Sequence, residues 1–516
     1  MLDYLRRLAT TGAAYTAASI LSKVLAVALL PLYTSYLDPS DYGAAEVLFT
    51  AVVTASIVVR LGIIEALLRF FYLPDEDGDE VIATGFAALL LAASAGALVA
   101  LPFAQGISDL LLGPDADQAG LVRIAIGGLW ILTLYEYLVS LFRLDERARA
   151  YFTFTILHVL AAIPLTVFLV VGLDEGARGL LLGSYLSGVP FVIWFLIAER
   201  RRLAKRPDRV LLRRMISFGL PTMPAEVSLY SLQFIDRIII VRSIGLAEAG
   251  LYALAFKFSQ SIQVVVRGFQ LAWPPLAYSI RDDDEARRTY AVVVTAFTAL
   301  CGFIVVGVWL EARWIVRLLA DERYFDSFKA VGPLALGAAL YGVYLAQLVI
   351  LGRTGRTERN LPATLAAMAA NVGLNLLLVP AYGIVGAGVA LVLSYVVVIV
   401  LMYAFTQRLF PIPWQWRRLA VIALAAGALI AGGDLLLPTE GVLGLLLRAA
   451  LWLTFPALLW FGGVVNAGER RVLRTAVSSG DLRRRIQGGL GRGERKADGS
   501  EDLIEAEARD QENRIF

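Results

Sequence analysis

The sequence predicts an all-α protein that crosses a membrane many times. Two observations carry that expectation. Of its 516 residues, 58% are hydrophobic and only 18% are charged, with mean hydropathy +0.69, whereas a soluble chain carries roughly 25% charged residues. The apolar residues are also gathered into runs long enough to span a bilayer as helices. The short segments of alternating polarity that a membrane β-barrel would need are absent from the pattern.

A span needs about 20 apolar residues, and on that basis the chain holds about fourteen. They lie near 11–36, 44–71, 81–103, 119–142, 151–172, 179–198, 216–243, 249–279, 289–310, 330–351, 361–380, 384–406, 418–437 and 442–465. The first begins after MLDYLRRLATTG and runs to Tyr36 without a small-residue cleavage site, so it reads as a retained span. The gaps are too short for soluble domains. Lys and Arg concentrate in RLDERARA, ERRRLAKRPDRVLLRR, RDDDEARR, GRTGRTERN and QRLFPIPWQWRR, all on one side of the membrane in this arrangement. That bias places these loops and both termini in the cytoplasm of an inner-membrane protein. PDEDGDE at 74–80 is an acidic loop on the same side. On the other side the longest piece, around EARWIVRLLADERYFDSFK, is expected to lie along the interface with Trp314 and Tyr324 as anchors. Residues 467–516 read as a basic, then disordered, cytoplasmic tail.

The two halves repeat at a constant spacing of 207 residues: Gly43 matches Gly250, Arg60 matches Arg267, Tyr137 matches Tyr344 and Arg149 matches Arg356. Each repeat holds an even number of spans, so both enter the membrane from the same side. Parallel repeats predict two six-helix lobes around a central cavity. The expected organisation is an N-terminal lobe over 1–210, a C-terminal lobe over 211–410, and two extra spans over 411–466.

Ionisable groups inside spans cost several kcal/mol in hydrocarbon, so they should face a cavity, a bundle interior or a headgroup layer. Arg60 and Arg267 each follow their matched glycine by 17 residues, about 25 Å along a helix, which puts both in the inner half of the membrane. Lys257, a further candidate for binding the cargo, lies nearer the outer end. Glu65, Glu136, Glu226 and Asp236 are candidates for coupling or structural carboxylates, and Glu65 and Arg69 have the i, i+4 spacing of a neutralising pair. Asp236 and Arg237 are adjacent, so they point to different faces. Gln233, Gln260, Gln263, Asn371 and Asn375 can contact sugar hydroxyls or bond helix to helix. The single Cys301 and single His158 leave no internal disulfide and no zinc-like cluster. No catalytic residue, metal, cofactor or nucleic-acid surface is expected, and short outer loops leave no room for a catalytic domain.

The stretch IDRIIIVRSIGLAEAGLYALAFK resembles the seventh and eighth spans of the polysaccharide-exporting flippases of the multidrug/oligosaccharidyl-lipid/polysaccharide superfamily. LPLYTSYLDPSDYGAAEVLF resembles their first and second spans, and LLADERYFDSFKAVGPLALG their ninth-to-tenth connection. The likeness covers roughly residues 5–410. It implies a protein without enzymatic turnover that moves a polyprenyl-diphosphate-linked oligosaccharide between leaflets by alternating access. Membrane lipids, and a polysaccharide polymerase or glycosyltransferases, are the implied partners. The family keeps cations facing its cavity in the first, second and eighth spans, and Lys23, Arg60 and Arg267 are the matching positions here. An Arg fork suits a diphosphate because it donates two parallel hydrogen bonds. Lipid II transport, drug/cation antiport and membrane glycosyl transfer or polymerisation stand as the alternatives.

Overall fold

The computed structural model describes residues 21, 25, 27–114 and 118–464. Among these residues the secondary structure is helical throughout. The helices are α1 Leu30–Tyr36, α2 Pro39–Arg60, α3 Ile63–Phe70, α4 Gly78–Ala100, α5 Ala104–Leu111, α6 Ala119–Leu144, α7 Ala148–Val167, α8 Gly176–Leu186 and α9 Val189–Ala198. A linker of two short helices follows, α10 Arg200–Leu203 and α11 Arg209–Gly219. Then come α12 Met223–Ile244, α13 Leu246–Ser259, α14 Gln263–Ser279, α15 Asp283–Leu319, α16 Phe328–Arg353, α17 Asn360–Leu409, α18 Trp416–Leu436, α19 Gly441–Leu453 and α20 Phe455–Phe461.

Ten helical stretches among the described residues are long and apolar enough to cross a membrane. That is fewer than expected, for identifiable reasons. The expected first span lies mostly outside the described residues. The seventh and eighth, α12 and α13–α14, are too polar to count on composition: α12 holds four charged residues, and α13–α14 carries Lys257 with Gln260 and Gln263. The eleventh and twelfth run together as α17, which turns at Gly383 (φ 60°, ψ −142°), a backbone conformation that glycine adopts without penalty.

Local signals set several helix boundaries. Proline occupies the first turn of α2, where its missing N–H removes no hydrogen bond. The side chains of Asp77, Asp208 and Asp282 accept backbone N–H bonds at the starts of α4, α11 and α15. The largest apolar core joins both sequence halves, with Leu48 of α2 beside Tyr252 and Leu254 of α13, all essentially fully buried. The C-terminal pair α18–α19 packs on α15.

Three expectations need correction. The segment after α15 is not an exposed interfacial piece: Tyr324 is fully buried, bonds Leu37 O at 2.9 Å and meets the Tyr42 ring edge-on. Trp314 bonds the Gly441 carbonyl instead of lying free at the interface. Glu65 and Arg69 do not pair, because Arg69 lies over the Phe218 ring at 4.3 Å. The tail at 467–516 lies outside the described residues.

Candidate functional site

The charged groups gather along α2. That helix stops at Arg60 because Leu61 and Gly62 both turn left-handed, with φ 51° and 69°. At this last turn the Arg60 Nη1 is 3.2 Å from Glu136 Oε2 on α6, and Nη2 is 3.4 Å from Glu226 Oε1 on α12. One guanidinium is therefore shared between a carboxylate of each sequence half. Glu65 adds a third carboxylate in the field of the other two. The Arg60 side chain is 15% exposed and the two glutamates about a third exposed, so water or a ligand reaches the cluster. Beside it the Gly62 and Gly219 backbones touch, and a methyl on either would collide with the other.

Further along α2, Glu46 sits between two cations of the second half. Lys257 Nζ is 2.5 Å from Glu46 Oε1, and Arg237 Nη1 is 3.6 Å from Oε2 and donates to the Glu46 carbonyl at 2.9 Å. Arg237 also donates to Thr50 Oγ1. Glu46 and Arg237 are nearly fully buried, so removing one partner would strand an uncompensated charge at a cost of about 3–5 kcal/mol. Lys257, expected to bind cargo, is thus engaged by Glu46 and lies 5.0 Å from the Tyr42 ring centre. Glu46 was absent from the sequence-based candidates. Its signal was available, a lone carboxylate inside an apolar run, but its partner lies 211 residues away.

Asp236 points away from its neighbour Arg237, as adjacent helix positions require. It accepts from Tyr252 Oη at 2.9 Å and from Asn375 Nδ2 at 2.8 Å, in a fully buried pocket that also holds Asn371. Asn371 and Asn375 are both fully buried, and Asn375 joins α17 to α12 through Asp236. Asn371 Nδ2 and Oδ1 and Asn375 Oδ1 have no protein partner there.

Arg267 differs from its repeat mate. It is exposed, lies in the electrostatic neighbourhood of Tyr341, and has no carboxylate at ion-pair distance among the described residues. The eighth expected span tightens to a 3-10 turn at Gln260–Ile262 between α13 and α14, which places half-buried Gln260 and Gln263 at that turn. Lys23 and the Gln233 side chain lie outside the described positions.

A cavity of about 410 Å³ opens between α1, α2, α7 and α8, with Lys257 reaching in from α13. His158 lines it with one face and stacks obliquely on Tyr135 with its ring centre 4.6 Å away. Its Nε2 is 3.3 Å from Ser187 Oγ.

Comparison with known proteins agrees with this architecture. The Succinoglycan biosynthesis transport protein ExoT of Rhizobium meliloti (strain 1021) is 24% identical over 335 residues, 62% of this chain. The chain spans 65% of that relative's length. Among solved structures, the lipid II flippase MurJ in an inward closed conformation superposes with TM-score 0.68 at 14% identity, covering 87% of this chain and 98% of that one. An inward-facing multidrug resistance MATE family transporter of the MOP superfamily gives TM-score 0.64 at 16% identity, covering 78% and 95%. At these identities the structural likenesses establish the fold: an all-α multi-pass membrane protein of the MurJ and MATE type. The sequence from 35 to 329, more than half of the chain, matches the family described as "Polysaccharide biosynthesis protein", and the chain belongs to that family.

Proposed function

We propose that the protein moves a polyprenyl-diphosphate-linked oligosaccharide across the cytoplasmic membrane by alternating access, without breaking a bond in it. The observation that carries this reading is Arg60. It is a partly exposed guanidinium at a helix end, shared between carboxylates of opposite sequence halves. A diphosphate is the ligand class that competes best for such a fork, since it offers paired oxygens and more charge than either carboxylate. Arg267 adds a second cation with no carboxylate at ion-pair distance among the described residues. In this reading residues 1–210 and 211–410 are lobes that rock about the cavity, 411–466 is an appendage, and both termini are cytoplasmic. Glu136 and Glu226 hold Arg60 when cargo is absent. Asp236, buried with two under-bonded asparagines, is the candidate coupling carboxylate.

The test uses purified protein in proteoliposomes with a fluorescent polyprenyl-diphosphate oligosaccharide in one leaflet. Cargo should become accessible in the other leaflet with its glycosidic and phosphate bonds intact. Release of free glycan or polyprenyl phosphate by the pure protein would instead favour a transferase.

A further inference from the structure

The cavity between α1, α2, α7 and α8 has a chemistry different from that of the Arg60 cluster. Its two charged groups among the described residues, Glu46 and Lys257, already pair with each other. Among the described residues, a diphosphate entering it would meet a carboxylate and no unpaired cation. What remains is aromatic surface from Tyr33, Phe49 and His158, all partly exposed, together with the hydroxyl of Ser184. A sugar ring needs that combination. Its C–H face packs on an aromatic ring, and its hydroxyls, each both donor and acceptor, exchange hydrogen bonds with hydroxyl and imidazole groups. The volume lies in the range of small-molecule sites.

Position supports the same conclusion. Glu46 and Arg60 lie on one unbroken helix, α2, fourteen residues apart, or about 21 Å along its axis. A cargo whose diphosphate is at Arg60 can reach the cavity only with sugars well beyond the first. The two sites are therefore spaced for a headgroup and for the far part of its glycan.

We propose that this cavity is the glycan subsite, receiving the sugars distal to the diphosphate and making transport depend on glycan length. The proposal rests on the reading of the cargo as a diphosphate-linked glycan. It moves the sugar contacts from Asn371 and Asn375 on α17 to the walls of α1, α2, α7 and α8.

The experiment compares two synthetic cargoes in proteoliposomes: polyprenyl diphosphate bearing a single hexose, and the same lipid bearing a chain of several hexoses. Ala162, which lines the cavity from α7, is replaced by Trp to fill it. A162W should slow the long cargo at least tenfold and leave the short one within twofold of the parent protein. Equal rates for both cargoes in A162W and the parent, or equal loss of both, would overturn the subsite. If the unmodified protein moves neither cargo, the flippase reading itself fails and takes the subsite with it. A second variant guards against misfolding by the large side chain. A162C in a Cys301→Ala background should react with a polar maleimide and be protected at least fivefold by the long cargo, but not by the short one. Equal protection by both, or by neither, would also overturn the proposal.

Discussion

Gly43 and Gly250 meet backbone to backbone. A methyl group on Gly43 would lie 2.8 Å from Gly250 N and collide with the Leu246 carbonyl; one on Gly250 would collide with the Pro39 carbonyl and lie 3.1 Å from Gly43 N. The contact is reciprocal at the 207-residue spacing of the sequence, Gly43 meeting Leu246 and Gly250 meeting Pro39. The contact also joins the halves at this end of α2. Gly250→Ala should wedge them apart, at a cost of about 1–3 kcal/mol to the closed arrangement. Spin labels at Ser40→Cys and Ala247→Cys would show a longer distance distribution in the variant. An unchanged distribution together with unchanged thermal stability would mean that the helices separate at no cost and do not form a seal.

Arg60 makes a second join at the opposite end of α2. Arg60→Ala should lower transport at least about tenfold while the protein still inserts, because the diphosphate loses its fork. Lys should restore only part of the rate, since a point charge cannot donate two parallel bonds. Glu226→Gln should weaken the join without removing the cation, so it should tighten cargo binding, measured by titration with the fluorescent lipid. Weaker binding in Glu226→Gln would show that the carboxylate supports the cargo and does not compete with it.

Most of the fold was legible because hydrocarbon imposes one rule, a long apolar run, and α4, α6, α7, α15 and α16 follow it. Gly383 falls in the expected gap between the eleventh and twelfth spans. The break after Arg60 is not legible: a single glycine in VVRLGII leaves the apolar period intact, and the close contact of Gly62 with Gly219 lies across 157 residues of sequence. The site was half legible. Arg60 stood out by the repeat and by depth, but its sharing between Glu136 and Glu226 requires contacts across the fold. Glu46 has Ala253 at its repeat position, so it lacks the symmetry that marks the arginines.

The Gly43 end carries a latch as well as the glycine contact. Arg323 donates to the carbonyls of Thr34 and Ser35 at 3.1 and 2.9 Å and also pairs with Asp38. Tyr324 Oη donates to the buried Leu37 carbonyl. Tyr324→Phe should leave that carbonyl unsatisfied and cost about 1–3 kcal/mol. Arg323→Ala, more exposed, should cost less in stability but open the same end more often. The Ser40–Ala247 spin-label pair reads both effects, and a variant with the parent distance distribution would remove the latch assignment.

The linker between the halves is held by charge. Arg202 forks onto Asp145 at 3.0 and 3.2 Å and also reaches Asp79 and Glu199, Lys205 pairs with Asp77 at 3.0 Å, and Arg214 pairs with Glu76. The acidic loop at 74–80 is thus the counter-charge of the basic linker. The Lys205 hydrogen bond, aided by the Asp79 N–H, holds the Asp77 carboxyl below its usual range, and Asp77 raises Lys205. Because the folded value of Asp77 is depressed, its contribution is present above about pH 4 and is lost as pH falls through the lower folded value. Because the folded value of Lys205 is raised, its contribution is complete below about pH 10 and is lost only above that. The linker should therefore stay docked across the neutral range and loosen only in strong acid. Both side chains are about half exposed, so salt should weaken this pair well before acid does. Arg202, less exposed and shared by three carboxylates, is the stronger hold. Hydrogen exchange of residues 200–219, corrected for intrinsic rate, should rise by up to about tenfold in Arg202→Gln. The rise in Lys205→Gln should be much smaller. Equal exchange in Arg202→Gln and the parent protein would show that α11 is held by its apolar face, Leu211 and Met215, and that the charges only guide its docking.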